Sequence, residues 1–561
     1  MPPAGHPPPD KLPTPPSPQP APHAPAPHAP LAGAVRVVSS LTLLSRVAGL
    51  ARDVLTARLF GDTLLGSSFR AAYAVPNLFR RLFGEGALSA AFLPEYSLLA
   101  RDDPAKADQL ASLVVRLLTL VTASLTVVLV GVLALVLALA PHDAERSLSF
   151  RLMILMLPMM PCVCITAVLG GMLQSHGRFA PTAAAPVLLN LFQIVAGALC
   201  LLGVVKDPVT GAYVVGAAAL AASVVQIAWS LAALRGKVRW TRLTAGARAH
   251  ARDVMRRFVP ALLGLGTLQL NTMLDVVIAM WPVWVGPTVL GFRVPLDDTS
   301  NAILSYAQTL YQFPLGVFGI AVATAVFPLL SRTADRPADF LAHLRQGLRL
   351  SLFIGLPASV GLVLVRHDLL AVIFGGGRHA AFSPEGLARA GDVLLGFAPA
   401  IWAYSLNHVL TRAFYAQRDT TTPMRLAVRM VALNVTLNLT LIWFLGEAGL
   451  AWSTAIAASV QCLALWRLAH TRLGLRPLDA PTRAAFARIA GATAAMTGGV
   501  ALVLWLLPPA DTWAGHALRL TACLVAGIGV YAGAARLARL PELGMLLRRP
   551  RAGPAGPVSF D

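Results

Sequence analysis

Five arginines sit where a chain surrounded by lipid should not carry charge. Arg46, Arg52 and their neighbour Asp53 lie inside VRVVSSLTLLSRVAGLARDVLTARLFG, residues 35–61. Arg70, Arg80, Arg81 and Glu85 follow in a second apolar stretch, beside Pro76 and Gly84. An arginine at the centre of a membrane helix costs about 2.5–3.5 kcal/mol on insertion scales, so its presence needs a partner or a purpose. At 100° per residue Arg46 and Asp53 share one helix face, and Arg52 lies about 120° away, still able to line a wide cavity. Ser39, Thr42 and Ser45 add polar character there. A guanidinium is always charged and forks toward phosphate oxygens in bidentate geometry. Arg46, Arg52 and Arg80 converging in a low-dielectric cavity therefore suit a diphosphate and repel a hydrophobic cation. In the plainer reading Arg80 and Arg81 reach out to the membrane interface, and Arg52 and Asp53 neutralise each other.

A second group is made of oxygen-bearing side chains inside apolar runs: Asp275 in LQLNTMLDVVIA, Asn434 and Asn438 in ALNVTLNLTL, and Thr454 in GLAWST. Asn434 and Asn438 are one helical turn apart and share a face. Carboxylate, amide and hydroxyl oxygens are hard ligands that suit sodium or a proton. Interhelical hydrogen bonding is the plainer use of such residues in a membrane.

The elements that must position these residues are helices in a bilayer. The chain has 561 residues, 56% hydrophobic and only 13% charged, against about 25% charged in a soluble domain. Its net charge of +20 comes with a mean hydropathy of +0.66, which places the basic residues at a membrane face or around an anionic ligand and argues against a nucleic-acid partner. Apolar stretches long enough to span occur at 34–60, 64–100, 108–140, 147–175, 180–204, 211–234, 257–282, 300–331, 346–375, 387–416, 422–445, 449–470, 484–507 and 515–538. The basic loops, above all 235–257, alternate with short loops poor in Lys and Arg, such as 61–63, 206–207, 446–447 and 508–512. The bias puts both termini in the cytoplasm.

An internal repeat relates AYAVPNLFRRLFGEGALSAAFLP (72–94) to SYAQTLYQFPLGVFGIAVATAVFP (305–328). It implies two six-helix halves, residues 34–234 and 257–472, joined by a basic cytoplasmic linker at 235–256 and followed by two added helices within 473–540. Gly and Pro interruptions at matching places point to a site between the halves, with bends expected at 76, 84, 86, 314, 316 and 319. Residues 1–33 form a Pro-rich tail expected to be disordered, and 541–561 a basic C-terminal tail.

The five cysteines, Cys162, Cys164, Cys200, Cys462 and Cys523, lie in apolar runs and read as packing residues, without metal or disulfide. The paired acids Asp102–Asp103 and Asp297–Asp298 fall in loops on opposite sides and read as solvated charge, which speaks against a membrane glycosyltransferase and leaves no catalytic residue to name.

At SSLTLLSRVAGLARDVLTARLFG (39–61), PNLFRRLFGEGALSAAFLPEY (76–96), APVLLN (185–190), YQFPLGVFGIAVATAVFPLLS (311–331), FYAQRDTTTP (414–423) and GLAWST (449–454), the chain resembles the MurJ/MviN family of lipid II flippases, within the multidrug, oligosaccharidyl-lipid and polysaccharide exporter superfamily. The resemblance runs in order over roughly 34–540. It implies an all-α membrane protein of 14 helices in two lobes around a cationic chamber. The last two helices would form a groove for the lipid tail. The substrate implied is the undecaprenyl-diphosphate-linked peptidoglycan precursor lipid II, flipped from the inner to the outer leaflet of the bacterial inner membrane. The family's cavity arginines fall on Arg46, Arg52 and Arg80, and Asp53 and Glu85 match its motif. Two positions depart from the pattern: Ser67 stands where the family usually has an acid, and Thr309 where it commonly has an arginine. Arg70 is the candidate to compensate. Other prenyl-diphosphate glycans, such as O-antigen or capsule, remain open as substrates, and a cation-driven multidrug exporter is the more distant alternative.

Overall fold

The computed structural model describes residues 29–84, 87–139, 144–375 and 382–547. Those residues fold almost wholly as helices. The first half runs α1 (Ala29–Phe60), α2 (Leu64–Gly84), α3 (Ala87–Asp102), α4 (Pro104–Leu139), α5 (Ala144–Met156), α6 (Met159–Ser175), α7 (Ala180–Leu201) and α8 (Pro208–Leu234). The second runs α9 (Arg248–Ala279), α10 (Trp281–Trp284), α11 (Ser300–Pro314), α12 (Ile320–Arg332), α13 (Pro337–Phe374), α14 (Pro384–Phe397), α15 (Ala400–Ala416), α16 (Thr421–Leu445) and α17 (Glu447–Leu473). Then come α18 (Ala480–Leu506), α19 (Trp513–Leu537) and the short α20 (Pro541–Leu547).

Ten helical segments among the described residues are long and apolar enough to cross a bilayer: α4, α5–α6, α7, α8, α13, α14–α15, α16, α17, α18 and α19. The protein is a multi-pass, all-α membrane protein. The stretches that fall short of that apolarity, α1, α2–α3, α9 and α11–α12, carry the charged and amide side chains singled out above, or are broken. Lipid-facing surface is plain on α4, where Leu120, Val127 and Leu139 are 64%, 70% and 77% exposed. Apolar side chains left outside a helical bundle are what a hydrocarbon solvent requires.

Within the first half α1 packs on α7, α7 on α8, and α2 on α5 and α6. Within the second half α13, α15 and α17 stack in turn, α14 and α16 lean on α17, and α18 and α19 pack on each other and on α13. Two elements join the halves. α2 packs against α11, its counterpart in the repeat, and α9 has α2 and α3 on one side and α16 on the other.

Several boundaries differ from expectation. α9 begins at Arg248 instead of 257, and α13 at Pro337 instead of 346, because helical hydrogen bonding continues past the hydrocarbon edge that hydropathy marks. Residues 235–247 are not a loose linker: Arg239 N–H donates to Asp108 Oδ1 (3.1 Å), Thr241 N–H to Ser112 Oγ (3.0 Å) and Gly246 N–H to Gln109 Oε1 (3.1 Å), all on α4. Residues 29–33, expected in the disordered tail, are helical, and 1–28 lie outside the described residues. In the basic C-terminal tail, α20 buries Glu542 against Arg349 Nε at 2.6 Å.

The expected bends are met unevenly. Pro76 lies inside an unbroken α2. Gly84 is the last described residue of that helix, and Gly86 is outside the described residues. Pro314, Gly316 and Gly319 coincide with a π-helical turn, Leu315–Gly319, between α11 and α12. Such turns recur at functional sites. The segment after α9 forms α10 and then a two-stranded hairpin, β1 (Thr288–Val289) and β2 (Phe292–Arg293). Its turn places Leu290 at φ 50° and Gly291 at φ 85°. Two positive φ angles are the signature of the two-residue hairpin turn that follows strand twist.

Candidate functional site

A chamber of about 550 Å³ lies among α1, α2, α6 and α7, and Arg46, Arg52, Arg80 and Arg81 all line it. It reaches the α6–α7 junction at Gln174 and Phe179, beside the basic residues His176 and Arg178. A smaller cavity of about 180 Å³ continues inward between α2, α9 and α11. It shares Arg52, Tyr73, Asn77 and Arg81 with the first chamber and adds Asp53, Arg70, Gln269, Ser305, Gln308, Thr309 and Gln312. The deep end of the site thus lies between the two halves.

The arginines are not equivalent. Arg52 is held on three sides: Nη1 donates to Tyr73 Oη (3.1 Å) and to Asn190 Oδ1 (3.0 Å), and Nη2 to Asp53 Oδ1 (2.9 Å). Asn190 is itself fixed, donating from Nδ2 to the Ser45 carbonyl at 3.1 Å. Asp53 also accepts from Arg70 Nη1 at 2.8 Å, so one buried carboxylate orders two guanidinium groups. Arg80 Nε donates to Asn77 Oδ1 at 3.1 Å, and Arg81 lies 3.5 Å from Gln269 Oε1 on α9. Arg46 makes no hydrogen bond among the described residues. Its guanidinium packs against Gly316 in the π-helical turn, so closely that a Cβ there would collide with Nη1. Glycine at 316 is what lets this charge reach the second half.

Arg46 and Asp53 share a helix face but do not pair; Arg52 and Arg70 take the carboxylate instead. The plain reading of Arg52–Asp53 as a local charge pair is present together with the shared chamber. Glu85 lies outside the described residues. Sequence reasoning passed over Tyr73, Asn190 and Gln269, and read Gly316 only as a bend. Asn190 carried a legible signal, one of two amides in the apolar run PVLLNLFQIV, but no local spacing tied it to Arg52 and Ser45 on α1.

The two departures from the family pattern have structural counterparts. Ser67 is fully buried; its hydroxyl accepts the Ala302 N–H at 3.0 Å and its carbonyl accepts from Asn301 Nδ2 at 2.8 Å. Thr309 accepts from Arg70 Nη2 at 3.0 Å, and the same nitrogen donates to the Ser305 carbonyl at 3.1 Å. Arg70 also lies over the Tyr306 ring, 4.5 Å from its centroid. A first-half arginine therefore supplies positive charge at the place where Thr309 has none.

In the second group, Asn438 Nδ2 donates to Asp275 Oδ1 (2.7 Å) and to Asn434 Oδ1 (3.2 Å). All three residues are buried. Asn434 Nδ2 and Asn438 Oδ1 have no partner among the described residues. Thr454 bonds the Leu450 carbonyl one turn back at 3.1 Å, and no hydrogen bond joins it to the other three.

The halves are tied at the end away from Gln174 and Phe179. Besides the Ser67 and Arg70 bonds, Asp62 between α1 and α2 accepts the Ser383 N–H at 2.8 Å and the Ser383 hydroxyl, at the start of α14. Asp297, expected as solvated loop charge, is half-exposed and also pairs with Arg389 of α14 at 2.8 Å, and Arg389 Nε donates to Glu447 at 2.7 Å. Partial burial would raise the Asp297 carboxyl, but the bonds from Arg389, Thr299 and Ser300 outweigh it and hold the group down at about 2.

A cationic chamber whose deep end opens between two helical halves, joined there by α2 and α11, defines a membrane transporter. The comparisons give the particular kind. The family model described as lipid II flippase MurJ matches residues 56–517, and the chain belongs to that family. It is 31% identical over 532 residues to the probable lipid II flippase MurJ of Vibrio cholerae, covering 91% of this chain and 96% of that one. Its fold is similar to a solved structure of lipid II flippase MurJ in an inward closed conformation, with TM-score 0.73, 21% identity and coverage of 89% and 98%. A multidrug-resistance MATE transporter of the MOP superfamily in an inward-facing conformation shares the fold at TM-score 0.62 and 13% identity, covering 79% of this chain and 98% of that one.

Proposed function

We propose that this chain flips lipid II, the undecaprenyl-diphosphate-linked peptidoglycan precursor, from the inner to the outer leaflet of the bacterial inner membrane. The observation that carries this reading is the chamber lined by Arg46, Arg52, Arg80 and Arg81. Family membership supports the choice of lipid II over another prenyl-diphosphate glycan. The chain crosses the membrane 14 times, as two six-helix lobes and a C-terminal pair, with both termini in the cytoplasm. α18 and α19 offer the prenyl tail a path. Trp505 and Ile528, 79% and 71% exposed, give that pair an apolar outer surface.

The diphosphate enters from the Gln174–Phe179 end and meets Arg46, whose guanidinium has spare hydrogen bonds. Arg52 follows, already oriented by Tyr73, Asn190 and Asp53. Charge-assisted bonds to phosphate oxygens neutralise the chamber arginines and lower the desolvation cost of closing them away from water. The lobes then close at the cytoplasmic end and part at the other, where the Ser67–Ala302, Arg70–Ser305 and Asp62–Ser383 contacts must break. No bond of the substrate is made or broken, so the chain acts as a carrier and not as an enzyme.

Asp275 with Asn434 and Asn438 is proposed as the coupling site for sodium or a proton. A buried carboxylate beside an amide oxygen without a donor is a fit ligand set for a small cation. Thr454 would have to turn from Leu450 to join it. Transport by Asp275→Ala that still responds to sodium and pH as the wild type does would remove this assignment. For the function itself, the protein is depleted in its host and lipid II assayed leaflet by leaflet. Cytoplasmic-side accumulation, rescued by wild type and not by Arg46→Ala, is expected; normal leaflet distribution on depletion would refute it.

A further inference from the structure

A second basic cavity, of about 430 Å³, lies far from the arginine chamber, where the ends of α1 and α7 meet the start of α8. Its polar lining comes from Arg58, Lys206 and Asp207, and its apolar floor includes Phe60, Leu201 and Val205. Arg58 and Lys206 make no hydrogen bond among the described residues; Arg58 is half-buried and Lys206 exposed. The one carboxylate offsets only one of the two cations. Asp207 is the N-cap of α8, where Oδ2 accepts both the Thr210 N–H (2.8 Å) and the Thr210 hydroxyl (2.6 Å). Beside the cavity, Leu202 and Val204 are 79% and 70% exposed, so the cations sit at the edge of lipid-facing apolar surface.

Two cations beside one carboxylate leave the cavity with net positive charge, and the guanidinium and ammonium keep donors for an added ligand. The occupant must bring acceptor oxygens and negative charge, and the adjoining Leu202 and Val204 suit acyl chains. We infer that this cavity binds the phosphodiester of an anionic phospholipid, with Arg58 and Lys206 on the phosphate and the chains along α7. In the orientation proposed above this is an outer-leaflet site, separate from the chamber and from the C-terminal helix pair. Lipid held here braces the end of α1 whose other half carries Arg46 and Arg52, so its occupancy can bear on the flipping helix without touching the substrate.

The test uses the full chain in phosphatidylcholine nanodiscs doped with a photoreactive phosphatidylglycerol, with crosslinked peptides mapped by mass spectrometry. Crosslinks to 199–211 are expected and should fall about tenfold in the Arg58→Gln, Lys206→Gln double variant, the loss expected for one charge-assisted bond. Arg58→Lys, which keeps the charge, retains most of the signal, and crosslinks elsewhere stay unchanged as a control on folding. Equal labelling in the double variant overturns the site. Loss of labelling on adding millimolar inorganic phosphate shows a free-phosphate site and overturns the lipid assignment. Arg46→Ala leaves the labelling intact, so a failure of the flippase reading would not be mistaken for a failure of this one.

Discussion

Arg46 and Arg52 looked alike in the sequence, but the structure holds them differently. Arg52 makes three hydrogen bonds to protein partners, whereas Arg46 makes none among the described residues. Arg46→Ala should therefore weaken diphosphate-lipid binding about 10- to 100-fold, the worth of one or two charge-assisted bonds, while thermal stability stays near wild type; titration of purified protein and a melting curve read both. Arg70→Gln should do the reverse. It leaves Asp53 half-paired in a buried setting, where removing one partner costs about 3–5 kcal/mol, so the melting temperature should drop. Gly316→Ala is the sharper probe of geometry. The added Cβ meets only the flexible end of Arg46, so folding should survive and transport should fall. The arginines were legible because charge in an apolar run is conspicuous. Asp53 as a shared hub was not, because Arg70 approaches it from another helix and no local spacing encodes that.

At the scale of elements, sequence punctuation was half informative. Proline and glycine at 314, 316 and 319 mark a π-helical turn, whereas Pro76 sits in a continuous α2, since neighbouring helices can absorb one lost hydrogen bond in a membrane. In the proposed mechanism, opening depends on the α2–α11 contact. Ser67→Ala removes the acceptor for the Ala302 N–H and leaves a buried donor unmet, at about 1–3 kcal/mol. The lobes should part more readily at that end, and a cysteine placed at Ala302 should label faster from outside. Unchanged labelling would show that Ser67 is not part of the closure. The strap at 285–299 behaves differently with acid. The Asp297 carboxyl is depressed to about 2, below its ordinary value near 3.9. Its pairing with Arg389 therefore contributes stability above pH 4 and loses it as pH falls through 2. Hydrogen exchange of this strap should be insensitive to pH between 5 and 8, after correction for intrinsic rates.

For the whole molecule, the all-α membrane class and most membrane-length helices were legible, because hydrocarbon thickness imposes a length that hydropathy can count. The extensions of α9 and α13 beyond their apolar stretches were not, since a helix does not stop where lipid does. The way α9 mediates between the halves was also hidden, because its two faces are read by helices far apart in sequence. The proposed orientation predicts that a cysteine at Lys237 is protected from an impermeant reagent in intact cells and one at Lys206 is labelled.

The central claim is that guanidinium groups in the chamber carry a lipid diphosphate across the bilayer. Its most direct measurement is flipping in proteoliposomes, reading the fraction of inner-leaflet lipid II that becomes accessible to an externally added modifying enzyme. The account predicts time-dependent exposure with wild type and loss with Arg46→Ala and Gly316→Ala in protein of normal stability. Equal exposure in wild type and Arg46→Ala would contradict it.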